Sequence, residues 1–306
     1  MKKDLTVNGN LKSKGVKKAV NVFVVVCGVI LALYAMILLF ALVWGLITSF
    51  KDYFLDYYNN KIGLPQEWMI SNYAKAFENF QTKVIPFNGA PYWVDFWEML
   101  KNSLLYAFGC SFFATLIPCI TGYAMAKYRF KFSDILYVVV IITMALPIVG
   151  NLASEIKISR ALGFYDTFWG MWIMSANFAG QYTLVFYATF RSIPNGYSEA
   201  AELDGASDFN IMLRIMMPLA MKTFGAIMLI KFIAYWNEYE SAMIYLKTHP
   251  TIAYGLYAFN NDTVRGMNGV PMRLTGCMIL VVPIIILFIV FQNKLMGNVS
   301  MGGLKE

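Results

Sequence analysis

Histidine is almost missing from this chain: one residue, His249, in 306. Cysteine is sparse as well, and Cys27, Cys110, Cys119 and Cys277 stand far apart in apolar surroundings. Zinc sites need Cys and His ligands at short fixed spacings, so this scarcity excludes the common ones. In such surroundings a thiol acts as a small apolar side chain. A serine or cysteine nucleophile needs a base beside it, and His249, next to Pro250 in a loop, has no matching partner. No GxxxxGK[ST] phosphate loop occurs, so any nucleotide chemistry of that type must sit on another chain. Charge is also scarce, at 14% of residues.

Apolar surface, in contrast, is abundant. With 58% hydrophobic and 16% aromatic residues, a chain of this length cannot bury its apolar side chains in one soluble core. Lipid is the expected solvent. Several runs exceed the 18 or so apolar residues that a hydrocarbon layer of about 30 Å requires. The candidate spans read as Val20 to Phe50, Asn102 to Ala126, Asp134 to Leu152, Phe168 to Phe190, Thr223 to Leu246 and Thr275 to Phe291. The expected fold class is therefore an all-α integral membrane protein with six spans. The first run is too long for a cleaved signal peptide and reads as a retained anchor. Pro118, Pro147 and Pro283 interrupt the second, third and sixth spans, as kinks that serve either motion or static packing.

Basic flanks set the expected orientation. Lys2, Lys3, Lys12, Lys14, Lys17 and Lys18 crowd the N-terminus against Asp4 alone, and Lys127, Arg129 and Lys131 follow in the next loop on that side. That face is expected to be cytoplasmic, with both termini on it. The organisation then reads as a basic segment over 1–19, a first span over 20–50 and an extracellular loop over 51–101. A five-helix core follows over 102–296, with a polar loop at 191–222 inside it, and then a cytoplasmic tail over 297–306. The net charge of +7 is mostly a topology signal, because no soluble basic face for nucleic acid is visible.

The polar loop is the unusual part. Between Arg191 and Lys222, Ile193, Tyr197, Ala200, Ala201 and Leu203 alternate with Glu199, Glu202, Asp204 and Asp208. Asn195 and Ser198 can cap a helix start, and Glu199 and Glu202 suit its positive end. Gly205 then breaks the helix, and a second one from about Asp208 runs towards Pro218, expected as a boundary before the next span. On physical grounds alone, a surface-lying connector and a docking element fit equally well.

The spaced pattern Glu199-Ala200-Ala201, three residues, Gly205, nine residues, Ile215, one residue, Met217-Pro218 resembles the EAA loop of bacterial ABC importer permeases. Met217 replaces the pattern's Leu, a volume-conserving swap. Further residues resemble the carbohydrate branch of that family, the maltose-permease type. They are Asn102-Ser103, Leu146-Pro147, Asp166-Thr167, Asp204-Gly205-Ala206-Ser207, Trp236-Asn237-Glu238-Tyr239 and the tail Gly302-Gly303-Leu304-Lys305-Glu306. The 51–101 loop matches less well.

The resemblance implies a bilayer-embedded assembly in which this chain and a second permease subunit form the pathway, as a heterodimer or, alternatively, a homodimer. Two ATPase subunits drive it, carrying ATP and Mg, and an extracellular solute-binding protein delivers a sugar. It implies no cofactor on this chain and no enzymatic activity of its own. Glu199, Ala200, Ala201, Asp204, Gly205 and Pro218 would belong to the coupling helix that docks on the ATPase, with Gly302 and Gly303 reaching the ATPases from the tail. A permease for another solute, such as a peptide, polyamine or phosphonate, is the main alternative. A membrane enzyme or ion channel would predict activity from the isolated chain.

The substrate path is read from the fifth span. Lys231, Glu238 and Glu240 lie in an aromatic run, and ionisable groups in a bilayer should face protein or a water-filled cavity. Lys231 and Glu238 are seven apart, close to two turns, and can share one face. Trp236, Asn237, Tyr239 and Glu240 offer the apolar faces and polar groups a pyranose needs. Asn177 and Gln181 are weaker candidates, since amides in a membrane more often bond neighbouring helices. An interfacial aromatic belt, with Glu238 as a structural ion partner, explains the same residues.

Overall fold

The computed structural model describes residues 22–128, 133–146, 150–261 and 269–299. Helix α1, Val22–Ser49, is apolar on every face and exposed along most of its length. Its 28 residues, at about 1.5 Å each, exceed the thickness of a hydrocarbon core. Only its last turns are covered, where Gly45 approaches Met278 and Ser49 accepts a hydrogen bond from Thr275.

The chain from residue 50 to 95 folds as a compact cap on this end. Asp52 starts a π-helical turn, Tyr53–Tyr57, by accepting from the Phe54 and Leu55 amides. Lys51 is buried and donates to the Asn60 carbonyl. Helix α2, Ser71–Asn79, leads into an antiparallel pair, β1 (Thr82–Val84) and β2 (Tyr92–Val94), in which Thr82 faces Val94. Ala76, Phe80, Val84 and Val94 form one core with Met99, Trp236, Ile252 and Phe259.

Helix α3, Phe96–Lys127, is the central element. Asp95 caps it by accepting from the Glu98 amide, so it begins before the expected Asn102. Pro118 is buried within it, and the helix continues through. Its close approach to a later helix is set by Gly122: a Cβ there would lie 2.7 Å from Phe186 Cβ and 2.8 Å from the Tyr187 nitrogen.

The expected third, fourth and fifth spans are shorter or interrupted. Helix α4, Ser133–Ala145, ends before the expected Leu152, which instead opens the amphipathic α5, Leu152–Ala161. Pro147 lies outside the described residues. The expected fourth span, Phe168 to Phe190, is two helices, α6 (Phe168–Met174) and α7 (Gln181–Ser192). The break follows from Asn177, whose side-chain oxygen takes the Ala179 amide and turns the chain, and from an extended Gly180.

After α7 come α8 (Gly196–Leu203), α9 (Asp208–Ile211), a π-helical stretch over Met212–Met216, and α10 (Met217–Leu219). The expected boundary at Pro218 lies two residues later, at Ala220, where the chain bends by 73° into α11, Met221–Asn237. The π-type bond from the Met217 amide to the Met212 carbonyl widens the helix just before Pro218, whose ring would crowd a regular turn.

Helix α11 stops inside the expected fifth span. Glu238 is extended, and α12 (Glu240–Tyr245) restarts the helix. Then follow α13 (Ile252–Asn261) and α14 (Val270–Val299), which encloses the expected sixth span and contains Pro283. Among the described residues, two helices, α1 and α3, are long and apolar enough to cross a membrane unaided, or three crossings if the bent 208–237 pair counts as one. The breaks in the expected fourth and fifth spans account for part of the difference from six uninterrupted spans.

Candidate functional site

Two sites emerge, one at each level of α3. At its Lys127 end, α8 and α9 form the polar knob expected from the sequence. Asp204 ends α8, and Gly205 follows at φ +82°. The Gly205 amide bonds the Glu202 carbonyl at 3.0 Å, and the Ala206 amide bonds Ala201 at 2.9 Å. This pair of bonds closes the helix with a left-handed residue, which explains why glycine stands at this position of the pattern. The glycine faces open space.

Glu199, Ala200, Glu202, Asp204, Asp208 and Pro218 are exposed. Ala201 is not: at 7% exposure it packs inward with Tyr123, Phe186, Phe190, Ile211, Met216 and Ala220. Of the two alanines expected in the docking helix, only Ala200 therefore presents a surface to a partner. Sequence reasoning missed Leu203, which is 90% exposed, and Phe209. An apolar residue among acids on a polar helix was the available signal. Asn195 does not cap α8 as expected. Its side-chain oxygen accepts instead from Lys127 Nζ at 2.9 Å, and Ser198 turns its hydroxyl back to the Asn195 carbonyl. Gly302 and Gly303 lie outside the described residues.

The second site is a polar node part-way along α3. Tyr106 donates its hydroxyl to Glu238 Oε2 at 3.0 Å, while Oε1 takes the Ser241 amide at 2.7 Å and so caps α12. Ser175, at the break between α6 and α7, donates to the Cys110 carbonyl at 3.2 Å. Both interrupted spans are thus tied to one stretch of α3, Tyr106 to Cys110. Broken backbone at membrane depth is tolerated where protein or a water-filled cavity surrounds it. Glu238 caps the end of α11, and the Lys231 ammonium lies 4.8 Å from the centre of the Tyr182 ring.

The expected path residues separate into two groups. Trp236 is 2% exposed, stacks on Phe232 and donates to the Leu280 carbonyl, so it offers a sugar no surface here. Asn237 and Glu240 are exposed, although Asn237 also donates back to Ile233. Tyr239 stacks on Tyr257 with ring centres 4.7 Å apart, a partner the sequence did not suggest. Gln181 is exposed at the start of α7. An open groove of about 400 Å³ lies between α3, α6 and α11, lined by Phe108, Phe112, Phe113, Trp172 and Phe232. It exposes no polar atom, so it cannot satisfy sugar hydroxyls.

At the Asp95 end of α3, a clasp holds the segment after α12. Asn102 donates to the Pro250 carbonyl, and Ser103 accepts the Ile252 amide at 2.7 Å. Asp166, at φ +60°, takes the Thr248 amide at 2.9 Å and the Thr248 hydroxyl at 2.8 Å, and lies 3.5 Å from His249 Nδ1. Burial alone would raise the Asp166 carboxyl. The His249 and Thr248 hydrogen bonds and the nearby His249 charge outweigh it and hold the carboxyl below its usual range.

The family described as "Binding-protein-dependent transport system inner membrane component" matches residues 114–299. The diacetylchitobiose uptake system permease protein NgcG of Streptomyces coelicolor is 24% identical over 284 residues, covering 92% of this chain and 88% of that protein. The arabinooligosaccharides transport system permease protein AraQ of Bacillus subtilis is 27% identical over 239 residues, covering 75% and 79%. A crystal structure of a bacterial ABC transporter involved in the import of the acidic polysaccharide alginate contains a chain with a TM-score of 0.68 and 21% identity, covering 89% of this chain and 96% of that one. That likeness concerns the fold.

Proposed function

The chain belongs to the family of binding-protein-dependent transport system inner membrane components, and from that premise we propose that it is one permease subunit of an ATP-driven importer for a sugar or oligosaccharide. The observation that carries this is the closed α8–Gly205 corner with its exposed acids, Ala200 and Leu203, at the end of a bundle of interrupted spans. Relatives named for diacetylchitobiose and arabinooligosaccharides supply the substrate class.

In this reading, Glu199, Ala200, Asp204, Gly205 and Pro218 belong to the segment an ATPase subunit grips, with Ala201 as its inward anchor and Leu203 as an added contact. Exposed acids suit basic groups on the partner, and an exposed leucine gains most by being covered. A second, different permease subunit completes the pathway as a heterodimer. Two ATPase subunits bind ATP and Mg, and a solute-binding protein delivers the sugar from outside. This chain itself binds no cofactor and catalyses no reaction. Six crossings, counting the interrupted ones, put both termini, the α8–α9 segment and the Gly302-Gly303 tail in the cytoplasm. Asn237, Tyr239 and Glu240 line the sugar's route, with Tyr257 behind Tyr239.

The test is uptake into vesicles that carry the whole assembly, with ATP inside and the loaded solute-binding protein outside. Oligosaccharide accumulation that needs this chain supports the reading. Assemblies that import only peptides or polyamines would replace the sugar assignment.

A further inference from the structure

Lys127 is the last residue of α3, where a lysine ordinarily extends its ammonium into water. Here the ammonium is committed to protein. It donates to the Ile193 carbonyl at 2.6 Å and to Asn195 Oδ1 at 2.9 Å. Ile193 ends α7, where free carbonyls and the helix dipole favour a cation, and Asn195 is the residue that enters α8. One side chain therefore grips both sides of the corner between the last span and the docking helix. Asn195 holds this bond in place of its own cap on α8, which costs that helix a local hydrogen bond.

The lysine's own helix has little slack against α7. Gly122 leaves no room for a methyl group between them, and Tyr123 packs edge-on against Phe190 at 5.2 Å. Further along, the same helix holds Glu238 through Tyr106, and at its far end it holds Pro250 and Ile252 through Asn102 and Ser103. A displacement of α8 is thus delivered to a single rod that meets both interrupted spans and the clasp.

We propose that Lys127 is a positioning residue of the transport cycle: it fastens α8 to α3, so that movement of the docked helix is passed to the interrupted spans. This rests on the reading of α8 as the ATPase-docking helix. The bonds are charge-assisted and directional, and one lysine serves two acceptors. A methionine keeps the stem's bulk and loses every donor, whereas an arginine keeps donors.

The experiment uses the complete assembly in vesicles and measures substrate moved per ATP hydrolysed, together with the amount of ATPase that co-purifies. For Lys127→Met, the expected result is wild-type co-purification with at least about a ten-fold fall in substrate moved per ATP, and Lys127→Arg recovers most of it. A wild-type ratio in Lys127→Met overturns the proposal, as does an arginine variant no better than the methionine one. Should Lys127→Met fail to accumulate, Asn195→Ala removes only the α8-side acceptor. A lowered ratio in that variant supports the link, and an unchanged ratio overturns it. If the ATPase does not co-purify with the wild-type chain at all, the docking reading itself fails, a result distinct from failure of the Lys127 link.

Discussion

Tyr106 and Glu238, 132 residues apart in sequence, meet at 3.0 Å across the contact between α3 and the break that follows α11. The bond gives the glutamate an identity as a structural bridge: one carboxylate oxygen holds α3 and the other starts α12. A carboxylate enclosed by spans must be paired or hydrogen-bonded, and here the partners are a phenol and a backbone amide.

Tyr106→Phe removes one hydrogen bond to a charged group without opening a cavity. The assembly should lose about 1.5–3 kcal/mol of stability, seen as a lower midpoint in thermal denaturation of the purified complex. An unchanged midpoint would show that Glu238 is satisfied without Tyr106.

Gly122→Val should cost more than a surface change. The added atoms meet the Tyr187 nitrogen and Thr183 carbonyl, which are backbone and cannot rotate away. Overpacking of this kind costs about 1–3 kcal/mol, and poor accumulation in the membrane is the expected readout. Wild-type accumulation and midpoint would mean that α3 and α7 separate easily.

At Gly205 the constraint is conformational, not spatial. A β-branched residue at φ +82° is strained by about 1–2 kcal/mol, so Gly205→Val should insert normally yet reorient α9 against α8. Transport should fall sharply while the chain's abundance is kept; normal transport would count against a fixed corner.

Leu203→Asp alters a side chain that touches little of its own chain, so thermal stability of the isolated permease pair should change by less than about 0.5 kcal/mol. Co-purification with the ATPase is expected to drop. Equal recovery of the ATPase would remove Leu203 from the docking surface.

The clasp should respond to acid through Asp166. Its carboxyl is held below the usual range in the fold, so the stabilisation is present above the unfolded value of about 3.9 and is lost as pH falls through the lower folded value. The midpoint gap between wild type and Asp166→Asn should be open at neutral pH and close on acidification below about pH 4. A gap that persists there would place the effect in packing.

Periodicity and composition carry much of this architecture. Long apolar runs reported α1 and α3 directly, and the acid–alanine–glycine spacing located α8, its end at Gly205 and α9. Hydropathy could not report the breaks at 175–180 and 238–239, since each depends on one or two polar side chains bonding locally within an apolar stretch. Trp236 was misleading for a related reason: aromatic residues that suit a sugar equally suit a core, and the Leu280 carbonyl that takes its indole is 44 residues away. The second role of Asn195 was hidden too, because a helix-capping residue type gives no sign that a distant lysine will claim its oxygen.

The most direct measurement is cross-linking from Ala200→Cys to the ATPase subunit in the assembled transporter. The account predicts a cross-link that forms in intact assemblies and changes in yield when ATP binds. Position 200 labelled instead by a membrane-impermeant reagent from outside the cell, with no ATPase adduct, would contradict it.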